Sequence, residues 1–163
     1  MNVTQLEAAA TLDASATNIT SETSWAAVTV PQHLLSPGSV VEVQGTITWT
    51  ATVSTDRWTT RLRFGAVDGE LIGETDAHDV ADGDELVIQG RLIILSDGSA
   101  CGYLNATGRG TTNPVLATPL TSTRFGTAGD SALTLRVTAE CSTQNANVGV
   151  VHNLRAEVLA PAA

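Results

Sequence analysis

The densest group of chemistry-bearing side chains lies in the stretch ETDAHDVADGDE, residues 74–85. It carries six carboxylates, at Glu74, Asp76, Asp79, Asp82, Asp84 and Glu85. Calcium takes roughly six to eight oxygen ligands and often finds them in acidic loops, but this spacing misses the EF-hand pattern. We therefore expect a solvated loop that keeps neighbouring sheet edges from pairing, with no metal and no other cofactor. Calcium binding by this loop remains the alternative.

Catalytic patterns are missing from the chain. The three histidines, His33, His78 and His152, are far apart, and there is no HExxH, GxSxG or P-loop motif. The stretch GRGTTN lacks the last glycine of a dinucleotide-binding loop. We expect His152 to be a partly buried, hydrogen-bonded histidine, because it falls in an apolar row of its strand. The sequence predicts no catalytic residue and no enzyme.

Three arginines, Arg57, Arg61 and Arg63, project from one face of a predicted strand. Exposed strand arginines are ordinary, but three on one face could pair with carboxylates of a neighbouring subunit. The formal net charge is -9, and all eight basic residues are arginines. This charge argues against nucleic acid and anionic membrane surfaces as partners. No stretch approaches the length of apolar residues needed to span a bilayer.

The elements that would position these residues are strands. In VVEVQGTITWTATV, residues 40–53, apolar or small residues occupy the odd positions from Val41 onward, and Glu, Gln and Thr occupy the even ones. Side chains in a strand alternate between faces, so this pattern predicts one buried face and one polar face. Turn residues divide the chain into eight strand candidates. They are residues 17–30, 39–54, 57–67, 70–75, 84–95, 100–107, 131–143 and 148–159.

The same alternation predicts a shared core that includes Ile47, Leu62, Ile88 and Leu135. Trp49 and Trp58 have the phase of this core, whereas an exposed Trp25 would suggest a sugar platform or a subunit contact. Residues 108–129 are rich in Thr, Gly, Asn and Pro, which indicates a long loop or an irregular edge strand.

The two cysteines, Cys101 and Cys141, fall in different predicted strands without metal-binding spacing. Two buried thiols are expected, and a disulfide is the alternative.

Long antiparallel strands separated by turns predict an all-β fold: a two-sheet β-sandwich of about eight strands, with jelly-roll character. An immunoglobulin-like sandwich is the second choice. The domain is expected over residues 17–163, preceded by an N-terminal arm at residues 1–16 that forms at most a short helix. We expect this arm to use Val3, Leu6 and Leu12 as apolar contacts, and its deletion to leave the sandwich folded. The first residues lack the basic and apolar regions of a secretory signal.

Four segments carry a family resemblance. They are SWAAVTVPQHLLSPGSVVEVQGTITWTATV, RLRFGAVDGELIGET, DGDELVIQGRLIILSDGS and LTLRVTAECSTQNANVGVVHNLRAEVLA. Together they resemble small β-sandwich structural proteins of tailed bacteriophages, over about residues 22–160. Such proteins serve as capsid decoration proteins, head fibres and tail-fibre tips, frequently as trimers.

The resemblance implies a decoration (cement) protein that binds the outer surface of the head, with the major capsid protein and its own copies as partners. It would be made in the cytoplasm of the bacterial host, reside on the virion and form a homotrimer. The expected capsid or subunit contacts are the arm residues Val3, Leu6 and Leu12 and the arginines Arg57, Arg61 and Arg63. The alternative is a receptor- or glycan-binding tip of a head or tail fibre.

Overall fold

The fold is all-β, and the computed structural model describes residues 2–13, 20–51, 56–75, 77–109, 123–127, 132–143 and 148–160. These residues contain eleven strands and one 3-10 turn, Gln32–Leu34. The strands are β1 (Asn2–Asp13), β2 (Thr23–Val30), β3 (Val40–Ala51), β4 (Arg57–Phe64), β5 (Leu71–Glu74), β6 (His78–Asp79), β7 (Glu85–Ile94), β8 (Ser99–Arg109), β9 (Thr123–Thr127), β10 (Leu133–Cys141) and β11 (Val148–Ala160).

The strands form two antiparallel sheets with jelly-roll topology. One sheet has the order β1-β11-β3-β7-β8-β9, and the other has the order β2-β10-β4-β5, with β6 also paired to β4. Leaving out β6, β8 and β9, the four-stranded sheets β1-β11-β3-β7 and β2-β10-β4-β5 remain. Their chain order, passing back and forth between the sheets, is that of two interleaved Greek keys. The β8–β9 hairpin extends the first sheet, so the predicted jelly-roll sandwich is confirmed.

A single core lies between the sheets. Ile47, Leu62, Ile88 and Leu135, predicted to meet there, are all at most 2% exposed and belong to one cluster. All three tryptophans are buried in it, with ring centroids 5.6–6.3 Å apart. Trp49 comes from the six-stranded sheet and Trp25 and Trp58 from the five-stranded sheet, so the tryptophan cluster joins the two sheets. Edge-to-face and tilted ring packing adds to the area that these side chains bury.

The N-terminal segment differs from the sequence-based expectation. Asn2–Asp13 is not a helix or a loose arm but strand β1, which pairs with β11 from Asn2↔Ala160 to Asp13↔Val148. Its backbone covers the N–H and C=O groups that β11 would otherwise present at an open sheet edge. In the jelly roll this segment is the first strand of the fold.

The last strand shows a second difference, at His152. Alternation placed His152 in the buried row, yet its side chain is exposed. The pairing of β11 with β3 passes from Val151↔Ile47 to Arg155↔Gln44, so β11 holds one extra residue there. Such a β-bulge shifts the phase of the strand. Val151 and Leu154 therefore face the core, both at most 1% exposed, while His152 faces outward.

The turns largely follow the sequence signals. The turn between β6 and β7 has Gly83 at φ 84° and the turn between β7 and β8 has Gly98 at φ 80°, a region that glycine enters without steric cost. Asp97 accepts a hydrogen bond from the backbone of Ser99 at 3.1 Å in the second turn. In the predicted loop or edge strand at 108–129, β8 extends to Arg109 and Thr123–Thr127 forms the edge strand β9. Residues 110–122 lie outside the described residues.

Candidate functional site

The outer face of the six-stranded sheet carries two polar rows that run across neighbouring strands. In the first row, Glu157 of β11 is paired with Glu42 of β3, which is paired with Arg91 of β7. In the second row, Arg155 is paired with Gln44 and Gln44 with Gln89. Directly opposed residues have side chains about 4.5–5.5 Å apart at Cβ, so each row is a set of close neighbours. We call these six residues the polar belt.

A shallow depression of about 160 Å³ lies in the middle of the polar belt. Its lining residues are Glu42, Val43, Gln44, Gln89, Gly90 and Arg91, all from β3 and β7. The strands are locked together there by a run of consecutive antiparallel pairs from Val40↔Ile93 to Thr48↔Glu85. The floor is therefore a rigid part of the sheet, and the four polar side chains form its walls.

Most polar groups of the belt have no partner in the described part of the chain. Arg155 donates a hydrogen bond to Gln44 Oε1 at 2.6 Å, which leaves the Gln44 amide NH2 free to donate elsewhere. No described residue makes a hydrogen bond or ion pair with the side chains of Glu42, Gln89 and Arg91. Two rows further along the sheet, Thr48 Oγ1 and His152 Nε2 lie 2.7 Å apart. The belt thus offers acceptors and donors that have no partner among the described side chains.

The outer face of the five-stranded sheet has similar residue types but uses them internally. Glu22 binds Arg63 through both carboxylate oxygens, with Arg63 Nη2 at 2.7 Å from Glu22 Oε2. Arg61 contacts Glu74 at 2.9 Å and Glu140 at 3.0 Å. These groups form a charge network that joins the loop before β2 to β4, β5 and β10.

Glu22 is the centre of this charge network, and its pKa shows the balance of forces. Burial raises the pKa of the Glu22 carboxyl, but hydrogen bonds from Arg63 and Thr138 and the charges of Arg63 and Arg61 lower it more. Its pKa therefore lies below the usual value of a glutamate. For Arg63, the hydrogen bond to Glu22 is the largest effect and raises the pKa of the guanidinium despite partial burial. Glu22 and Arg63 are consequently both charged at neutral pH.

The three arginines singled out in the sequence lie on this five-stranded face. Arg61 and Arg63 pair with carboxylates of their own chain rather than being left free for another subunit. Arg57 is exposed and donates to the backbone oxygen of Ala77 at 3.3 Å. A role of these arginines in subunit contacts stays a prediction.

The three apolar residues of the expected arm are placed by backbone register alone. Val3 is opposite Leu159, Leu6 is opposite Ala156 and Leu12 is opposite Gly149. Their side chains lie outside what the structure describes, so their contacts stay a prediction as well.

The acidic stretch 74–85 is less uniform than a solvated loop. Glu74 pairs with Arg61, and Asp84 is only 3% exposed and accepts a hydrogen bond from Ala81 N at 2.8 Å. Asp84 thus closes the turn that leads into β7. Asp76 lies outside the described residues, and no group of three His, Cys, Asp or Glu side chains among those described is placed to hold a metal ion.

The remaining residues singled out in the sequence are Trp25 and the two cysteines. Trp25 is 5% exposed, which removes it as an exposed sugar platform or subunit contact. Cys101 and Cys141 form no disulfide with each other. Cys141 is buried, and burial raises the pKa of its thiol, whereas Cys101 is only partly buried, so the expectation of two buried thiols holds for Cys141 alone. No helix in the described parts of the chain has the length and apolarity to cross a membrane.

The polar belt was not predicted from the sequence, although the chain contains a signal for it. Both β3 and β7 hold a Gln-Gly dipeptide behind an apolar residue, in VEVQG and LVIQG. The antiparallel register sets Gln44 directly opposite Gln89. Alternation identified these residues as outward-facing, but only the pairing of the strands shows that they meet.

Comparisons with known proteins give weak structural similarity. No family model and no curated protein matches the chain. Among solved structures, peanut lectin bound to a nine-residue peptide is similar with a TM-score of 0.44 and 7% identity, covering 100% of both chains. A protein of unknown function from Shewanella oneidensis MR-1 has a TM-score of 0.37 and 10% identity, covering 100% of this chain and 92% of the other.

Proposed function

We propose that this chain is a non-enzymatic virion structural protein of a tailed bacteriophage, most simply a decoration protein on the outer surface of the head. The observation that carries the proposal is the complete jelly roll, an architecture that viral capsid domains and lectins share. Fold alone does not select among these roles. The resemblance of the sequence to phage structural proteins favours the phage role among them. Its four segments lie in β2, β3, β4, β5, β7, β10 and β11, which are most of the sandwich.

The shape of the sandwich suits attachment to a protein shell. Both sheets are held by one core, and their outer faces are broad. The β4–β5 edge of the five-stranded sheet combines an exposed apolar side chain, Leu71 at 38%, with the charged side chains of Arg57 and Glu74. An apolar contact with a charged rim is the usual composition of a protein interface. We assign this edge to contact with the major capsid protein.

Particle reconstitution tests the proposal. Purified heads that lack the protein should bind it from solution, and electron microscopy should show it on the outer surface in numbers that match the capsid lattice. Leu71→Asp should lower the occupancy without lowering the melting temperature. Ile93→Asp is the matched control, because Ile93 is equally exposed, at 40%, but lies on the opposite sheet. Failure to bind heads, or equal occupancy for both variants, would contradict the proposed attachment.

A fibre tip is the competing location, and copy number separates it from decoration. A fibre-tip protein would appear at the ends of fibres and in numbers that match those fibres. The homotrimer belongs to the same proposal and is checked by light scattering. A species of 16.8 kDa alone, both free and on particles, would contradict it.

A further inference from the structure

We propose that the polar belt is a binding site for one unit of a neutral saccharide, held in the depression between β3 and β7 by Glu42, Gln44, Gln89 and Arg91. The site lies on the sheet opposite to the proposed capsid contact, so it would face away from the shell. The inference does not depend on that location, because it concerns the isolated protein.

The chemistry of the depression matches a ring that carries several hydroxyl groups. Each sugar hydroxyl both donates and accepts, so it is best held by acceptors and donors side by side. Glu42 supplies acceptors, Arg91 supplies donors, and the Gln89 amide supplies both. The Gln44 side chain is fixed by the hydrogen bond from Arg155 at 2.6 Å, which directs its amide NH2 to the open side as a donor.

The size of the depression restricts the ligand. Its volume of about 160 Å³ falls below the range of about 300–1,000 Å³ that is usual for pockets of drug-sized ligands. It has room for one small polar ring. The depression is open along the sheet, so further units of an oligosaccharide could continue across the surface. By backbone register, Asn105 and Tyr103 of β8 are paired with Gln89 and Arg91.

The charges of the belt are not paired with one another among the described contacts, which is compatible with a role in binding. Glu157 is directly opposite Glu42, and like charges in opposed positions destabilise a sheet. Arg91 stands opposite Glu42 on the other side but forms no ion pair with it among the described contacts. On the five-stranded sheet, by contrast, Glu22, Arg61 and Arg63 are fully paired. Charged groups without a described partner are available to a ligand.

Charge also decides the class of saccharide. The belt holds two carboxylates and two guanidinium groups, and the whole chain has a net charge of -9. An anionic polysaccharide would be repelled by this field, whereas a neutral one would not. Binding should therefore be nearly independent of salt concentration.

The test uses the full chain and a panel of soluble neutral hexasaccharides, namely malto-, cello-, xylo-, manno- and chitohexaose, with heparin as the anionic comparison. Binding is measured by titration calorimetry and by amide chemical shifts. At least one neutral hexasaccharide should bind, with shifts concentrated on β3 and β7. Glu42→Gln and Gln89→Ala should each weaken that binding about tenfold, the loss expected for one or two hydrogen bonds to the ligand.

Asp68→Asn is the matched control, because it removes one negative charge in the exposed turn between β4 and β5 and should leave binding unchanged. Glu42→Gln should keep or raise the melting temperature, since it relieves the repulsion from Glu157, so weaker binding cannot be ascribed to misfolding. The proposal is overturned if no neutral hexasaccharide binds at millimolar concentration. It is equally overturned if only heparin binds, or if both belt variants bind as the unaltered protein does.

Discussion

Gly149 of β11 occupies a position where only hydrogen fits beside the tryptophan cluster. A Cβ atom at this position would lie 2.6 Å from both Cη2 and Cζ2 of Trp25 and 3.4 Å from Nε1 of Trp49. Trp25 is 5% exposed and Trp49 is 1% exposed, so neither ring can swing into solvent to make room. We expect Gly149→Ala to force the rings apart and to destabilise the fold.

The magnitude follows from comparison with Gly45 of β3. A Cβ at Gly45 would meet Leu154 Cδ1 at 3.5 Å, an ordinary contact. In either strand, alanine gains about 0.5–1 kcal/mol over glycine through reduced backbone entropy of the unfolded chain. At Gly149 overpacking adds a penalty of about 1–3 kcal/mol. The two variants should therefore differ by about 2 kcal/mol, which is about 4–8 °C in melting temperature for a chain of this size.

Thermal and urea unfolding, followed by tryptophan fluorescence and circular dichroism, measure this difference. Gly149→Ala should melt below the unaltered protein and Gly45→Ala at or above it. In a Trp25→Leu background the ring atoms are gone, so the cost of Gly149→Ala should largely disappear. If the two alanine variants melt together, or if the cost persists without Trp25, the close approach of Gly149 to Trp25 does not determine stability.

Three further predictions concern the fold. Ile88→Asp should prevent folding, because it places a charge in the core where burial of the isoleucine contributes about 1.5–3 kcal/mol. Ile93 is exposed on the same strand, so Ile93→Asp should fold with a native circular dichroism spectrum. The pKa of Glu22 is lowered in the folded protein, so its carboxylate contributes stability above the usual glutamate pKa and this contribution is lost as the pH falls through the lowered value. The urea midpoint of Glu22→Gln should therefore decline less at acid pH than that of the unaltered protein. An unchanged decline would contradict the charge network. Deleting residues 2–13 should lower the melting temperature and promote self-association, because it removes β1 and opens the edge of β11. A monomer with an unchanged melting temperature would instead support the expectation of a loose arm.

The strands and the core could be predicted from the sequence because both depend on local alternation of apolar and polar residues. A residue two positions along a strand returns to the same face, so the buried rows of β3, β4, β7 and β10 can be read directly from the order of apolar residues. The pattern in β3 was correct throughout its described inner face, from Val41 to Trp49. Its other face was predicted only to be polar, and the structure divides it into the belt residues Glu42 and Gln44 and a part lined by threonines.

Three features were not predicted because they depend on pairing between distant segments: the bulge near His152, strand β1 and the polar belt. The bulge near His152 is created where β11 must match β3 and β1 at once, and nothing in the local pattern marks the extra residue. Strand β1 escaped because an Ala- and Thr-containing segment has no strong preference of its own, and strand propensity depends on the neighbours that a segment finds. The polar belt escaped for the same reason, since register alone brings Gln44 and Gln89 together.

The two sheet faces show how similar side chains acquire different roles. On the five-stranded sheet, Glu22 lies between Arg61 and Arg63, so each charge is compensated by partners in the same chain. A network of this kind holds strands together but has little left to offer a ligand. On the six-stranded sheet, Glu42 faces another carboxylate, and Arg91 remains outside any described ion pair. Its charged side chains without a described partner make the belt the first surface to test for binding.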